Sequence, residues 1–467
     1  MRPLTLHEMV IAMGGRLYGE IAAPRVTGVS TDSRNIEPGA MYFAIEGETF
    51  DGHAFVAEAL GKGAACAVVR DLDRIDRKLL TLGRIIQVPD TVAALGRLAA
   101  WYRRQFAAQV IAVIGSNGKT TTKDMIAAVL SVKRTGRWAK ASFNNHIGVP
   151  LTLLSVEPAD EFVVVEIGTN HPGEIAHLGR IAQPDMAVVT SIGEEHLEFF
   201  GDVRTVAREE FSLLSCMAAR PFVAVNVEAA AHAPGAVLKN ITSLTFGLDE
   251  AADLRAVDIT SDARGHRFRI NDGTQYELPV LGRYNVANAL GAIAIAMRFR
   301  MTPEEIATGL AAVKLPPMRM ERSQFGEITV INDAYNANPS SMRIALSVLD
   351  GIATTGRKVV VLGDMRELGA ESTRCHQALG QDAGRSTARL VIAVGAYARI
   401  VADGATAVAG TNKRIYAFPT VEAAAEKIGS LLKPGDLVLL KASRGMKLER
   451  LIEPIRNAAC GVAPCGG

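Results

Sequence analysis

The stretch that decides the fold is Gln109-Val110-Ile111-Ala112-Val113-Ile114-Gly115-Ser116-Asn117-Gly118-Lys119-Thr120-Thr121-Thr122. An unbroken apolar run ends in glycine and gives way at once to a helical pattern from Thr120 to Val132. That reads as a buried strand turning into a helix. Gly115 and Gly118 let backbone N–H groups wrap phosphate oxygens, with Ser116, Asn117 and Thr121 completing the loop. Lys119 then supplies a cation for the β- and γ-phosphates, and Thr120 a hydroxyl for Mg²⁺. The usual GxxxxGK[ST] spacing needs a glycine where this chain has Val113, so the loop is a shortened GxxGKT. A ligand-free turn would need only GxxG. The Lys-Thr pair between strand and helix selects phosphate binding.

Downstream, FVVVEIG (162–168), MAVVTSIG (186–193) and FVAVNV (222–227) repeat the apolar run at helix-length intervals. Such a series predicts a parallel sheet covered on both faces. Tandem prolines in KLPPMRME (314–321) mark a linker. Beyond it a second strand–helix series begins, with ITVIND (328–333), KVVVLGD (358–364), LVIAVG (390–395) and DLVLLKAS (436–443). Upstream, MYFAI (41–45) and AACAVV (64–69) precede a helical stretch, Val92–Phe106. The expectation is an α/β chain of three domains. A small N-terminal α/β domain covers 1–105, a central P-loop domain with a mostly parallel sheet 106–315, and a C-terminal Rossmann-like α/β domain 316–467. Ligands of open parallel sheets gather at the carboxyl ends of strands, where most of the polar motifs fall.

Composition narrows the function. The 467 residues carry 51 Lys+Arg against 49 Asp+Glu, and 48% hydrophobic with 21% charged usage excludes disordered and fibrous classes. A net charge of +2 leaves no footprint for nucleic acid, and 5% aromatic residues leave few stacking platforms. The five cysteines, Cys66, Cys216, Cys375, Cys460 and Cys465, include no CxxC pair, and Cys460 and Cys465 read as incidental. A reducing compartment follows. MRPLTLHEMVIAMGG is unlike a signal peptide, and the longest helical apolar segment, Val286–Met297, falls short of the ~20 residues of a membrane span. The expectation is a soluble, cytoplasmic monomer without nucleic-acid partners or an integral membrane segment.

A P-loop needs further ligands to hold Mg²⁺ and offset phosphate charge. Glu166 ends the strand FVVVE, where a buried carboxylate is costly unless paired or metal-bound. His196 follows MAVVTS within Gly193-Glu194-Glu195-His196. An isolated histidine there reads as surface or capping, but two successive strand ends facing the P-loop edge favour a ligand. Asn144-Asn145-His146 alone reads as a turn. Asn285 and Asn288 lie three apart on one helix face, placed either to read a base edge or, for Asn285, to cap the helix.

Together GSNGKTTTK (115–123), NNHIGVP (144–150), EIGTNHPGE (166–174), GEEHLEFFG (193–201) and GRYNVANAL (282–290) resemble the Mur ligases over nearly the whole chain. These are ATP-dependent amide-forming enzymes of peptidoglycan precursor synthesis. GTNHPGEI, DAYNANPSSM (333–342) and LGDMRELG (362–369) most resemble the members that transfer D-Ala-D-Ala. The resemblance implies ATP and Mg²⁺ as cofactors, and UDP-N-acetylmuramoyl-tripeptide and D-Ala-D-Ala as substrates. It implies an acyl phosphate formed on the tripeptide carboxylate. It places Thr120 and Glu166 on the nucleotide Mg²⁺, His196 on a second ion, and Lys119, Glu166 and His196 in catalysis. Asn285 and Asn288 would face adenine, with Arg319 and Asp333 approaching phosphates and ribose on closure. STDSR (30–34) and EGETFDGHAF (46–55) resemble segments that hold the uridine-diphosphate sugar, which assigns Ser30, Asp32, Ser33 and Arg34 to substrate. Asn145, Asn170 and His171 join them, while Tyr335, Asn336, Asn338 and Ser341 would line the D-Ala-D-Ala cleft. Ala442 stands where the family has a glycine, and Tyr284 where it often has His.

The family's carbamylated lysine position falls on Glu210, a carboxylate whose arm is shorter by about 3–4 Å. Two readings follow: a substitute ligand near the second Mg²⁺, direct or through water, or a solvated helix-face glutamate within Arg208-Glu209-Glu210. Two other classes compete for the whole chain. One is another ligase of the superfamily, such as a folylpolyglutamate synthase or the third-residue-adding enzyme. The other is a non-catalytic nucleotide-binding relative.

Overall fold

Alternate residues of the strand Gln109–Ile114 enter two separate cores: Val110, Ala112 and Ile114 one, Ile111 and Val113 the other. An apolar residue at every position is therefore what burial on both faces demands. The structure is a computed structural model that describes residues 1–19, 25–47, 50–81, 84–239, 241–262 and 264–459. Cys460, Cys465, Glu48 and Thr49 lie outside the described residues.

Gln109–Ile114 sits inside a nine-stranded sheet, between Met186–Val189 and Phe162–Glu166, with Gly136–Trp138 at the near edge. Beyond Met186–Val189 come Phe222–Asn226, Thr242–Gly247 and Leu254–Ser261, all parallel. The far edge, His266–Ile270 and Gln275–Leu278, is antiparallel. Helices Lys119–Leu130 and Tyr284–Arg298 cover one face, and Gly148–Leu154 and Glu174–Ala182 belong to the other.

The N-terminal domain is a five-stranded sheet in the order Arg16–Tyr18, Ile85–Gln87, Cys66–Val69, Ala40–Phe43, Gly28–Ser30, with only the first pair antiparallel. Helix Thr91–Arg103 ties it to the central domain, for Tyr102 donates from its hydroxyl to the Val156 carbonyl at 2.7 Å and Arg103 pairs with Asp185 at 2.8 Å. One hydrophobic core runs through both. The C-terminal domain has a six-stranded sheet ordered Glu321–Phe325, Ile328–Asn332, Leu437–Lys441, Lys358–Gly363, Leu390–Val394, Arg414–Phe418. It is parallel except for its first pair. Among the described residues no helix is long and apolar enough to cross a membrane.

Candidate active site

The loop after Ile114 is built by two glycines in the left-handed region, Gly115 at φ +120° and Gly118 at φ +85°. A Cβ on Gly115 would fall 2.5 Å from Thr190 Oγ1, and one on Gly118 2.5 Å from Asn288 Oδ1. Neither position admits a side chain. Lys119 opens the following helix and folds back to donate to the Gly115 carbonyl, with its Nζ 3.7 Å from Glu195 Oε2. Burial alone would lower the ammonium pKa, but Glu195, Glu210 and Glu166 outweigh it and hold the group above its ordinary value.

Those three carboxylates share an unusual feature. Glu166 Oε2, Glu195 Oε1 and Glu210 Oε1 are each buried without a hydrogen-bond partner. Glu166 Oε1 accepts from Asn144 Nδ2 at 3.1 Å, and Glu210 Oε2 accepts the Gly115 N–H at 2.9 Å. Burial pushes the Glu210 carboxyl up to about 8 in spite of Lys119. The solvated-face reading of Glu210 is thereby corrected. In helix Val203–Phe211 it shares a fully buried face with Val206, Ala207 and Phe211, and of Arg208-Glu209-Glu210 only Arg208 is exposed. Glu209 is spent on the N–H groups of Gly173 and Ile175, at 2.8 and 2.9 Å.

The opposite wall comes from beyond the prolines. Arg319 donates to Thr120 Oγ1 at 2.9 Å and to Ser142 Oγ at 3.1 Å, with its guanidinium over the Tyr335 ring. Asn117 donates to Ser340 Oγ at 2.8 Å and accepts from Asn338 Nδ2 at 3.1 Å. Asn338 also caps helix Pro339–Gly351, accepting the Ser341 N–H at 2.8 Å. Asp333 pairs with Lys441 at 2.6 Å, and Lys441 reaches the Asn336 carbonyl at 3.0 Å. His196, at φ +46°, pairs through Nδ1 with Glu367 and keeps Nε2 3.9 Å from Glu195. Central and C-terminal domains therefore face each other across a shared cleft.

That cleft is a cavity of about 860 Å³. Ser116, Asn117, Gly118, Lys119, Thr120, Thr121, Asn145, Glu166, Asn170 and His196 reach it from the central domain. Arg319, Asp333, Tyr335, Asn336, Asn338 and Ser341 reach it from the far side. The remaining expected residues lie off its wall. Gly115, whose N–H goes to Glu210, does not line the cavity, and His171 packs against the Phe199 ring at 4.2 Å. Asn285 does not cap its helix; it sits in the first turn, donating to the Leu281 carbonyl at 2.7 Å. Asn288 donates to Asn285 at 2.9 Å and backs Gly118. Ser30, Asp32, Ser33 and Arg34 lie at the end of an N-terminal strand, where Arg34 Nε and Nη2 grip the Asp32 carboxylate and hold its pKa down at about 2.

Three residues that reading of the sequence did not single out belong to the site. Glu195 pairs with Lys119, and Ser142 touches Thr120 at 3.2 Å. Lys123, buried, donates to the carbonyls of Ala139 and Ala141 at 2.8 and 2.6 Å and so fixes the Ser142 loop. The acid pair before His196 was a usable signal for Glu195; nothing local announces Ser142. Ala442 fits where the family has glycine because its neighbour across the strands is Gly363, whose Cβ, were there one, would fall 2.6 Å from that of Ala442.

Three family models match in chain order: the Mur ligase family catalytic domain at 25–103, the Mur ligase middle domain at 113–296, and the Mur ligase glutamate ligase domain at 318–444. A UDP-N-acetylmuramoyl-tripeptide–D-alanyl-D-alanine ligase of Bacillus subtilis is 34% identical over 94% of this chain and 96% of its own length. This chain belongs to the Mur ligase family. Within it, the chain superposes on a MurF crystal structure from Acinetobacter baumannii with a TM-score of 0.86, at 31% identity over 98% of this chain and 99% of that one. A Thermotoga maritima MurF ligase in complex with ADP gives 0.78 at 26% identity, over 94% and 99%. The three-domain α/β architecture of this Mur ligase is the one expected from its strand–helix series.

Proposed function

We propose that the chain joins the carboxylate of UDP-N-acetylmuramoyl-tripeptide to the amine of D-Ala-D-Ala at the expense of ATP, working as a cytoplasmic monomer. ATP's γ-phosphoryl group passes to the carboxylate, giving an acyl phosphate and ADP. The amine attacks that carbonyl, and the tetrahedral intermediate expels phosphate. A carboxylate is a poor acyl donor because oxide would have to leave; phosphorylation substitutes a stable anion. Catalysis then rests on positioning and on neutralising phosphate charge.

The observation that carries this reading is Lys119 at the phosphate loop, surrounded by three buried carboxylates that each keep a free oxygen. Lys119 swings from its Gly115 carbonyl onto the β- and γ-phosphates. Arg319 adds a second cation, while Asn117, Ser340 and Asn338 keep the two walls in register. The orphaned oxygens suit Mg²⁺. Thr120 and Glu166 would hold the nucleotide ion, and His196 a second one, with Glu210 behind the loop. Bound there, Mg²⁺ supplies charge neutralisation. Asp333 serves the ribose, and Ser30, Asp32, Ser33, Arg34, Asn145, Asn170 and His171 the UDP-tripeptide, whereas Asn285 and Asn288, expected at adenine, are spent on Leu281 and on each other behind Gly118 and support the phosphate loop instead. Phosphate release tests the proposal: it requires ATP, UDP-tripeptide and D-Ala-D-Ala together, and release that continues with either acceptor omitted, or with glutamate in place of the dipeptide, contradicts it.

A further inference from the structure

Leu197 belongs to the central domain by sequence and to the C-terminal domain by burial. It follows His196 directly, opens the short helix Leu197–Phe200 and is 7% exposed. The core it enters includes Met320, Met342, Met365 and Leu368. Among the described residues, every other buried member of that core lies beyond the tandem prolines. One central-domain side chain is thus plugged into the interior of its neighbour.

The backbone around it is moulded to the same contact. The Glu198 N–H donates to the Glu367 carbonyl at 3.2 Å, and His196 Nδ1 pairs with the Glu367 carboxylate. A Cβ on Gly369 would fall 3.1 Å from Glu198 Cα, so the two segments approach closely. His196 and Glu367 both lie in the left-handed region, at φ +46° and φ +62°. Residues with side chains hold that conformation only where their surroundings impose it. Farther out, Glu194 pairs with Arg343 at 3.0 Å. On the cleft side, Glu195 and His196 line the large cavity, with Glu195 3.7 Å from Lys119. Apolar burial of Leu197 offsets the strain of the turn that presents them.

Resting on the function proposed above, we infer that Leu197 is a positioning residue: its seating in the C-terminal core turns Glu195 and His196 toward the phosphate loop. Leu197 itself touches no substrate. It makes the acidic side of the site depend on docking of the C-terminal domain. The phosphoryl step then proceeds only with that domain seated and water excluded.

The test compares Leu197→Ala and Leu197→Met with Leu379→Ala, a truncation in the same core on helix Ser372–Arg385, away from the cleft wall. Both alanine variants should melt several degrees below wild type, as core cavities dictate. Well below that temperature, Leu197→Ala should lose kcat about 10–100-fold, the scale of a misplaced catalytic group. Its KM for ATP and for UDP-tripeptide should stay close to wild type. Leu379→Ala should keep wild-type kcat, and Leu197→Met, which refills the space, should recover it. Hydrogen exchange gives a readout free of turnover: the Glu198 amide should be protected in wild type and exchange faster in Leu197→Ala. A kcat for Leu197→Ala equal to that of Leu379→Ala, or unchanged exchange at Glu198, overturns the assignment. If Leu197→Ala does not fold, Leu197→Val carries the same comparison with a smaller loss. A wild-type enzyme that makes no product from D-Ala-D-Ala overturns the function instead, and the exchange result then decides on Leu197 alone.

Discussion

Arg319 Nη2 lies 2.9 Å from Thr120 Oγ1, so the segment that follows the tandem prolines grips the residue beside the phosphate-loop lysine. The arginine is flanked by Met318 at φ +61° and Met320 at φ +51°, left-handed conformations that cost roughly 1–3 kcal/mol each. They are held by the Met318 N–H on Glu321 at 2.9 Å and the Met320 N–H on Asp333 at 3.2 Å. Strain at both neighbours of one cation places that cation deliberately.

Arg319→Ala should therefore lower kcat about 100-fold, on the scale of one lost electrostatic donor, while binding of the UDP-substrate is retained. Pre-steady-state ADP formation with tripeptide and ATP reads the step. A variant with wild-type ADP formation would remove Arg319 from the phosphate site.

Lys119→Ala should go further. Without the ammonium, product formation should drop about 10²–10³-fold or more, and the buried glutamates around it lose the cation that faces them. Calorimetric titration with UDP-tripeptide should give wild-type affinity, since Lys119 is not among the residues proposed for that substrate, four of which, Ser30, Asp32, Ser33 and Arg34, belong to the N-terminal domain. Wild-type turnover in this variant would rule the assignment out.

Glu210 gives a pH signature. Its carboxyl, raised by burial to about 8 from an ordinary value of 4.5, keeps a proton in the folded chain that the unfolded chain has released. Between those values the folded state binds more protons, so this group costs stability as pH rises, by at most about 1.4 kcal/mol per unit. Glu210→Gln keeps an acceptor for the Gly115 N–H and removes the titration. Its ligand-free melting temperature should fall less than wild type's between about pH 5 and about pH 8. Parallel slopes would contradict a protonated Glu210.

Much of this was legible because parallel sheets buried on both faces write themselves as unbroken apolar runs. Gln109–Ile114, Phe162–Glu166 and Leu437–Lys441 are such runs. The antiparallel strands His266–Ile270 and Gln275–Leu278 escaped notice: their half-buried alternation dilutes the signal over short, charged stretches. In the site, the glycines and Lys119 were legible since phosphate binding dictates both spacing and residue type. The environment of Glu210 was not, because one buried face of a nine-residue helix with two adjacent glutamates reads equally well as solvated. Ser142 acquires meaning only from neighbours distant in sequence.

The central claim is that the tripeptide carboxylate itself is phosphorylated. The most direct measurement uses UDP-tripeptide labelled with ¹⁸O in the reacting carboxylate, with mass spectrometry of the phosphate released on adding ATP and D-Ala-D-Ala. An acyl phosphate requires one labelled oxygen to leave in that phosphate and the other to stay in the new amide. Unlabelled phosphate, or label recovered in AMP, would contradict the account.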